Sequence, residues 1–342
     1  MTNGSVRVTV FGKTDLGRTR EHNEDTFLVA DLSTGNASLQ PEVRSHEIGS
    51  RGSLFMVADG MGGAAAGELA SAMAADLIYY HMSTAWATDP TATAAHFAYR
   101  MKEAVELANG KIYSYAREHP EVRGMGTTVT AAGVFGSDLY LAQIGDSRAY
   151  LVRGAEAIQL TKDQSLMQRL VDAGELTEDE AEQSERRNII LQALGPDPRV
   201  KVDLTHQSIR RGDILILCSD GLSGLVRREE FASLAQQHSE PSALCSALID
   251  LANARGGPDN ITVVTARFEG EDLPEADGAD GVGYQTYQIP QPGNQPETGS
   301  PPAGELPPRN TAESALTLDR LRNLGLIALV LGVLMLLLAV WR

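Results

Sequence analysis

Residues 55–63, FMVADGMGG, combine the pattern of a buried strand with one carboxylate and three glycines. The apolar run FMVA is typical of a β-strand, and Asp59 follows it directly. An Asp-Gly pair after a strand most often forms a turn, so the stretch alone does not define a functional site. A glycine at position 60 would also let the backbone carbonyl approach a ligand closely. The stretch therefore raises the question of what Asp59 contacts.

Short strand patterns recur between residues 5 and 268. They include SVRVTVFG, DTFLVADL, TTVTAAGVFG, DLYLAQIG, RAYLVR, DILILCSDG and NITVVTARF. Turns such as FGSDL and IGDSRA follow several of them, which predicts antiparallel hairpins. Residues 67–82 are Ala-rich and residues 94–118 carry apolar side chains every three or four positions, so both are predicted to be helices packed on a sheet. We expect residues 163–195 to be a polar helical insertion between strands and residues 230–254 a further pair of helices.

Composition divides the chain into three segments. Residues 1–269 are predicted to form the folded domain. Residues 270–315 are rich in Pro, Gly and acidic residues and cannot bury enough apolar surface to offset their ordering entropy. They are predicted to be a disordered linker.

Residues 316–342 are predicted to be a C-terminal transmembrane helix. Leu324–Trp341 carries no charge and is long enough to cross a hydrocarbon core of about 30 Å. Arg320 and Arg322 lie just before it, which favours a cytoplasmic location for the folded domain. The sequence thus predicts a single-pass protein of the inner, cytoplasmic membrane.

The overall charge and the cysteine content exclude several classes of protein. The formal net charge of -16 argues against nucleic acid as a partner, because nucleic-acid-binding domains present basic surfaces. The chain has two cysteines, Cys218 and Cys245, which are too few for a disulfide framework and suit a reducing compartment. The N-terminus lacks an apolar segment of signal-peptide length, so we expect the bulk of the chain to stay in the cytoplasm.

Acidic residues occur repeatedly at predicted strand ends. They are Asp59 in FMVADGMGG, Asp146 in IGDSR, Asp220 in ILILCSDG, Asp259 in GGPDN, and Glu24 with Asp25 in RTREHNEDTFLV. In a layered antiparallel fold such ends can gather at one edge, where the carboxylates would repel one another. A divalent cation would remove that repulsion, and oxygen ligands select hard ions such as Mg²⁺ or Mn²⁺. Arg20, just upstream of one acidic pair, could bind a phosphate through two hydrogen bonds.

The ordered set of motifs is specific enough to identify a family. RTREHNED, FMVADGMGG, GMGTTVTAA, YLAQIGDSRAYLVR, LTKDQS, ILQALG, GDILILCSDGL and PDNITVV resemble, in order and spacing, the bacterial members of the protein phosphatase 2C (PPM) family. These are metal-dependent protein serine/threonine phosphatases, and the resemblance covers residues 5–268. It implies an α+β fold, a four-layer α/β/β/α sandwich in which two central, mostly antiparallel sheets are flanked by helices on both faces. It also places a variable flap at residues 163–195.

The resemblance implies a role for each matching residue. Asp59 would bridge two ions of Mn²⁺ or Mg²⁺, with the Gly60 carbonyl as a further ligand. Asp220 and Asp259 would hold the first ion. Glu24 and Asp25 would reach the second ion, mainly through water. Asp146 would bind a third ion together with Asp220, and Arg20 would bind the phosphate of the substrate.

One position departs from many relatives of this family. Eukaryotic members in particular have a histidine where this sequence has Met61, and that histidine is proposed to protonate the leaving alkoxide. A thioether cannot donate a proton. Since methionine is common among the bacterial forms, Met61 does not indicate a dead enzyme. It leaves the general acid unidentified, with metal-bound water as the expected donor.

Other phosphatase and metal chemistries lack their motifs. A cysteine phosphatase needs the motif Cys-x₅-Arg, in which five residues separate the cysteine from the arginine. In this chain the position that the arginine would occupy after Cys218 is Gly224. The seven histidines show no zinc-ligand spacing, and no GxxxxGK[ST] motif indicates an NTPase.

Two alternative functions stay open at the level of sequence. The domain could be a phosphoprotein-binding pseudophosphatase or scaffold whose metals are structural, although the intact set of acids speaks against this. It could also hydrolyse small phosphate esters. The predicted anchor favours protein clients, because a tether raises the local concentration of membrane partners. We therefore expect phosphorylated proteins as partners, among them a Ser/Thr kinase and its substrates.

Overall fold

Two antiparallel sheets form the centre of the computed structural model, which describes residues 6–276, 278 and 281–290. The strands are β1 Arg7–Asp15, β2 Asp25–Asp31, β3 Asn36–Ser38, β4 Arg44–Glu47, β5 Ser53–Met61, β6 Gly126–Thr127, β7 Val129–Phe135, β8 Asp138–Ile144, β9 Arg148–Arg153, β10 Glu156–Gln159, β11 Asp203–Ser208, β12 Ile214–Cys218 and β13 Ile261–Glu269. One sheet has the order β10-β9-β12-β13-β1-β4. The other has the order β11-β8-β7-β5-β2-β3, with β6 paired to β5.

The helices lie on the outer faces of both sheets, apart from two in the insertion between β10 and β11. They are α1 Ala64–His81, α2 Ala94–Glu118, α3 Leu166–Asp172, α4 Glu178–Glu182, α5 Asp220–Ser223, α6 Arg228–Gln237 and α7 Pro241–Ala254. A π-helical turn, Met82–Trp86, follows α1, and a 3-10 turn, Pro120–Val122, follows α2. Apolar residues of α1 and α2 form one core with the β5 sheet, and those of α6 and α7 form another with the β12 sheet. The predicted four-layer sandwich is confirmed.

Strand β5 shows why the sequence specifies this layering. Its side chains alternate between two buried faces, so no polar residue interrupts the run from Leu54 to Ala58. Met56 points into the core shared with α1 and α2, whereas Phe55 and Val57 point into the core between the sheets. Each such side chain contributes roughly 1.5–3 kcal/mol through burial. A strand that is apolar on both faces belongs in the middle of a layered fold.

The structure corrects the predicted end of this strand. Asp59 does not terminate β5, because the ladder continues through Gly60 and Met61, which pair with Thr127 and Gly126 of β6. Gly60 is a position of close backbone approach. A Cβ there would lie 2.2 Å from the Gly67 carbonyl oxygen and 2.5 Å from that of Glu24. The glycine therefore lets β5, α1 and the segment before β2 meet without a side chain between them.

The predicted insertion at residues 163–195 is only partly helical. Helices α3 and α4 occupy its first half, and turns with short bridges occupy the second. Residues 189–191 run alongside residues 164–166, held by hydrogen bonds from the Leu166 N–H to the Ile189 carbonyl (2.9 Å) and from the Leu191 N–H to the Gln164 carbonyl (2.7 Å). The polar composition of the segment predicted its exposure, but the partial strand pairing depends on contacts between its two halves.

The folded unit extends beyond the predicted boundary at residue 269. Its described part continues through residue 290, and Leu273 is 1% exposed in the core between the sheets. Farther along, the Tyr287 N–H donates to the Leu204 carbonyl at 2.7 Å, which extends the edge of the sheet at β11. The sequence predicts residues 270–290 as part of the linker, because isolated apolar residues among Pro and Gly show no periodicity that would indicate a strand or a helix.

The predicted membrane anchor and most of the predicted linker lie outside the described residues. Among the helices of the described part of the chain, none is both long and apolar enough to span a bilayer. Residues 316–342 are not among them.

We predict that Leu273→Ala lowers the free energy of unfolding by about 2–4 kcal/mol, because it removes a fully buried side chain and leaves a cavity. Leu39→Ala serves as the control, since Leu39 is 44% exposed, and should change stability by less than about 0.5 kcal/mol. Urea denaturation of both variants measures the difference. Equal stability of the two variants would show that residues 270–276 do not belong to the folded unit.

Candidate metal centre

The register of the strands brings the predicted acids to one edge of the sandwich. Asp25 begins β2 directly opposite Asp59 on β5. In the other sheet, Cys218 at the end of β12 pairs with both Val263 of β13 and Arg148 of β9. The residues just outside these three strand ends are Asp220, Asp259 and Asp146. Since both sheets present these ends on the same side, the acids meet across the gap between the sheets.

The carboxylates interact strongly because they lie close together, with Asp25 and Asp146 buried and Asp59, Asp220 and Asp259 partly exposed. Burial raises the pKa of Asp59 well above its ordinary value, and the negative charges of Asp25, Asp220, Asp146 and Asp259 raise it further. The pKa of Asp25 rises to about 7, again mainly through burial, with Asp220 and Asp259 adding to the shift. Burial followed by the charge of Asp259 raises the pKa of Asp220. The protein alone compensates only part of the negative charge at this edge.

Two oxygen atoms at this edge point to a ligand that the protein does not supply. Oδ1 of Asp146 and Oδ2 of Asp25 are buried, and neither accepts a hydrogen bond from any residue in the described ranges. A buried polar atom without a partner costs about 1–3 kcal/mol. A divalent cation would satisfy both atoms and neutralise the charge, so the residues present fit a hard metal ion.

The protein does not form a closed cage for such an ion. Across the residues that the structure describes, no three His, Cys, Asp or Glu side chains are arranged to hold a metal by themselves. Mg²⁺ sites typically keep several waters and use one or two carboxylates. Water molecules would complete the coordination of an ion held at this edge.

Arg20 lies at the rim of the acidic edge. Its Nη2 donates to Oδ2 of Asp259 at 2.7 Å, and its side chain is 46% exposed. This bond is the main reason that the pKa of Arg20 is raised. Burial raises the pKa of Glu24, and the charge of Arg20 opposes that shift. The rim thus combines an exposed cation with the acids behind it.

Asn260 fixes this rim and was not identified from the sequence. Its Oδ1 accepts from the Glu24 N–H at 2.9 Å, and its Nδ2 donates to the carbonyls of Leu16 (3.1 Å) and His22 (3.0 Å). Its side chain is almost fully buried, at 4% exposure. The loop that carries Arg20 is therefore held against Asp259 by the next residue in the chain. The sequence signal that could have identified Asn260 is its position directly after the acid in PDN.

Comparisons with known proteins identify the family of this chain. The family model described as Protein phosphatase 2C matches residues 37–252. The serine/threonine phosphatase Stp of Listeria monocytogenes is 37% identical over 253 residues, which span 74% of this chain and 92% of that protein. The serine/threonine protein phosphatase PstP of Mycobacterium tuberculosis is 40% identical over 213 residues, 62% of this chain and 40% of that protein.

Solved structures of serine/threonine phosphatases also match this chain. The crystal structure of the Mycobacterium tuberculosis phosphatase PstP/Ppp matches with a TM-score of 0.64 at 35% identity, over 77% of this chain and 99% of that one. The catalytic domain of PstP in complex with two manganese ions matches with a TM-score of 0.63 at 34% identity, over 78% of this chain and all of that one. The chain belongs to the protein phosphatase 2C family, the metal-dependent protein serine/threonine phosphatases. The family predicted from the sequence motifs is confirmed.

We predict that Asp146→Asn stabilises the EDTA-treated protein in a pH-dependent manner. The pKa of Asp146 rises from 3.8 to about 8 on folding. Between these values the unfolded chain has released a proton that the folded chain keeps, so rising pH disfavours folding. Because Asn does not ionise, the variant should gain up to about 5 kcal/mol at pH 8.5 and only about 1 kcal/mol at pH 4.5.

Denaturant unfolding at the two pH values measures this gain. Asp250→Asn provides the control, because Asp250 is exposed on α7 and its replacement should have little effect at either pH. A loss of stability in Asp146→Asn at pH 8.5 would contradict the assignment of Asp146 to a repelling cluster.

Proposed function

We propose that this chain hydrolyses phosphoserine and phosphothreonine in proteins with the help of Mn²⁺ or Mg²⁺. The observation that carries the proposal is the edge at which buried, mutually repelling carboxylates lie behind an exposed arginine. The named relatives, serine/threonine phosphatases with 37–40% identity, support the choice of substrate. The two manganese ions in the PstP structure support the choice of metal.

Residues at this edge are assigned as ligands on the basis of the resemblance and their proximity. Asp59 would bridge two ions with help from the Gly60 carbonyl. Asp220 and Asp259 would complete the first site. The acidic pair Glu24 and Asp25 would reach the second. Bound ions would lower the pKa of a water molecule and neutralise charge on the phosphate.

A third ion would lie between Asp146 and Asp220. The charge of Asp220 is, after burial, the largest contribution to the raised pKa of Asp146, so the two carboxylates are close. Asp146 also carries the buried oxygen atom that lacks a partner within the described residues. Both observations suit a shared cation.

Arg20 is positioned to orient the substrate phosphate. In the described structure its side chain makes one hydrogen bond, to Asp259, and a guanidinium has five N–H donors. The remaining donors can therefore bind two oxygens of a phosphate in the bidentate manner typical of arginine. Asp259 keeps the guanidinium at the rim while that contact forms.

Cys218, which ends β12 two positions before Asp220, is not suited to act as a covalent nucleophile. Burial raises the pKa of the nearby Cys218 thiol to about 12, which keeps it protonated and unreactive at neutral pH. Direct attack by water is the route that the remaining groups support. Met61 lies next to Gly60 at the end of β5 and cannot serve as a proton donor.

We predict that phosphate release from a phosphothreonine peptide requires Mn²⁺ or Mg²⁺, stops with EDTA, and falls by roughly a factor of 10³ or more in Asp59→Asn, because the variant loses the bridging charge. Asp250→Asn should retain wild-type rates. Trapping of a covalent phosphoenzyme would contradict the mechanism. Metal binding without turnover on several phosphopeptides would instead favour the scaffold function.

The C-terminal segment is proposed to anchor the enzyme in the inner membrane with the domain in the cytoplasm. The uncharged run Leu324–Trp341 and the arginines before it support this location. A tether would raise the concentration of the enzyme near membrane-bound clients. A membrane Ser/Thr kinase and its substrates are therefore the proposed partners.

We predict that deleting residues 312–342 moves the protein from the membrane fraction to the soluble fraction and leaves its activity on soluble phosphopeptides within about twofold, because the assigned ligands all lie before residue 270. Fractionation with a carbonate wash and a parallel activity assay test this. Full-length protein in the soluble fraction would exclude the anchor.

A further inference from the structure

One buried threonine hydroxyl connects the two strand ends that carry Asp59 and Asp146. The Asp59 N–H donates to Oγ1 of Thr128 at 3.0 Å, and the Thr128 N–H donates back to the Asp59 carbonyl at 2.9 Å. The same Oγ1 lies 2.7 Å from Oγ of Ser147, the residue after Asp146. Thr128 and Ser147 are both fully buried. A single side chain thus contacts the segments of two proposed ligands.

The turn at Asp146 is shaped to receive this threonine. Gly145 has a φ of 101°, and a Cβ there would lie 2.6 Å from the Thr128 methyl carbon Cγ2. The glycine of IGDSR therefore leaves the space that the methyl group fills. The hydroxyl of Thr130, the second residue of β7, donates to the Ser147 carbonyl at 2.6 Å and holds the same turn.

The negative charges at the acidic edge explain why a connection between the Asp59 strand and the Asp146 turn is needed. Asp59 belongs to β5 in one sheet, whereas Asp146 lies in the turn that leads to β9 in the other. Like-charged buried groups tend to move apart, and only fixed neighbours can resist this. A buried hydroxyl with all its contacts made is difficult to displace, because the separated partners would be left unsatisfied.

We propose that Thr128 is a positioning residue that sets the separation between Asp59 and Asp146 and thereby the spacing of the metal ions they hold. The inference rests on the proposed function. Thr128 does not touch the reacting atoms. It acts through the main chain of Asp59 on one side and through Ser147 on the other.

Three variants and a control test this role in the full-length chain. Thr128→Val keeps the shape but removes the hydroxyl, and Thr128→Ser keeps the hydroxyl but removes the methyl. Ser147→Ala breaks only the connection to the Asp146 turn. Thr265→Val is the matched control, because the Thr265 hydroxyl is equally buried and donates to the Pro241 carbonyl at 2.8 Å, outside the site.

We expect Thr128→Val to weaken Mn²⁺ binding, measured by calorimetry, by roughly 10-fold or more and to lower kcat by about 10–100-fold with little change in KM. Thr128→Ser should recover most of both losses. Ser147→Ala should weaken Mn²⁺ binding by a smaller factor, and its effect should not add to that of Thr128→Val. Thr265→Val should leave both quantities within about twofold.

The outcomes separate this inference from the proposed function. Wild-type Mn²⁺ affinity and kcat in folded Thr128→Val, or an equal loss in Thr265→Val, would overturn the positioning role. If Thr128→Val fails to fold, unchanged Mn²⁺ binding in Ser147→Ala would overturn it instead. Absence of phosphatase turnover in the wild type would contradict the proposed function, and the calorimetric comparison would still decide the role of Thr128.

Discussion

The repulsion among buried carboxylates at one edge of the sandwich is the constraint on which the rest of the site depends. Burial alone disfavours ionised acids, and their mutual proximity disfavours them further, as the raised pKa values of Asp25 and Asp59 show. The fold must therefore hold these groups together against a force that would separate them. A hard cation that reverses this force would be bound strongly wherever the acids are kept in place.

The two-sheet core provides the rigidity that this task requires. Phe55 and Val57 of one sheet pack against apolar residues of the other, so neither sheet can slide without opening the core. Close backbone contacts at the acidic edge add to this rigidity. At Gly60 the carbonyls of Gly67 and Glu24 leave no room for a side chain, and at Asn260 one carboxamide holds the Arg20 loop. Packing and polar contacts thus restrain both sides of the charged edge.

The sequence predicted the layers and the acids better than the contacts that position them. Strands and helices follow from local periodicity, and the acids follow from their place beside strand ends. Asn260 is different, since it binds Glu24 across 236 positions of sequence, and no local pattern reveals such a pairing. The hydroxyl of Thr128 likewise has a role only because β5 and the turn after β8 meet around it. The sequence also does not predict that the folded unit continues past residue 269, because Leu273 is a single apolar residue in a polar stretch and its burial depends on distant residues.

The clustering of acids at one edge explains both why the site lowers the stability of the metal-free protein and how it can serve catalysis. A protein selected only for stability would replace acids such as Asp25, Asp59 and Asp146, because their raised pKa values mean that they lower the stability of the metal-free fold above their unfolded pKa. Their retention among the strand ends of a rigid fold keeps the carboxyl oxygens in place before any ligand arrives. Preorganised charge of this kind needs no rearrangement during a reaction, which is why it is effective in catalysis. Asp59 of FMVADGMGG therefore faces Asp25 across the ladder between β2 and β5, and Thr128 holds its main chain through both the N–H and the carbonyl.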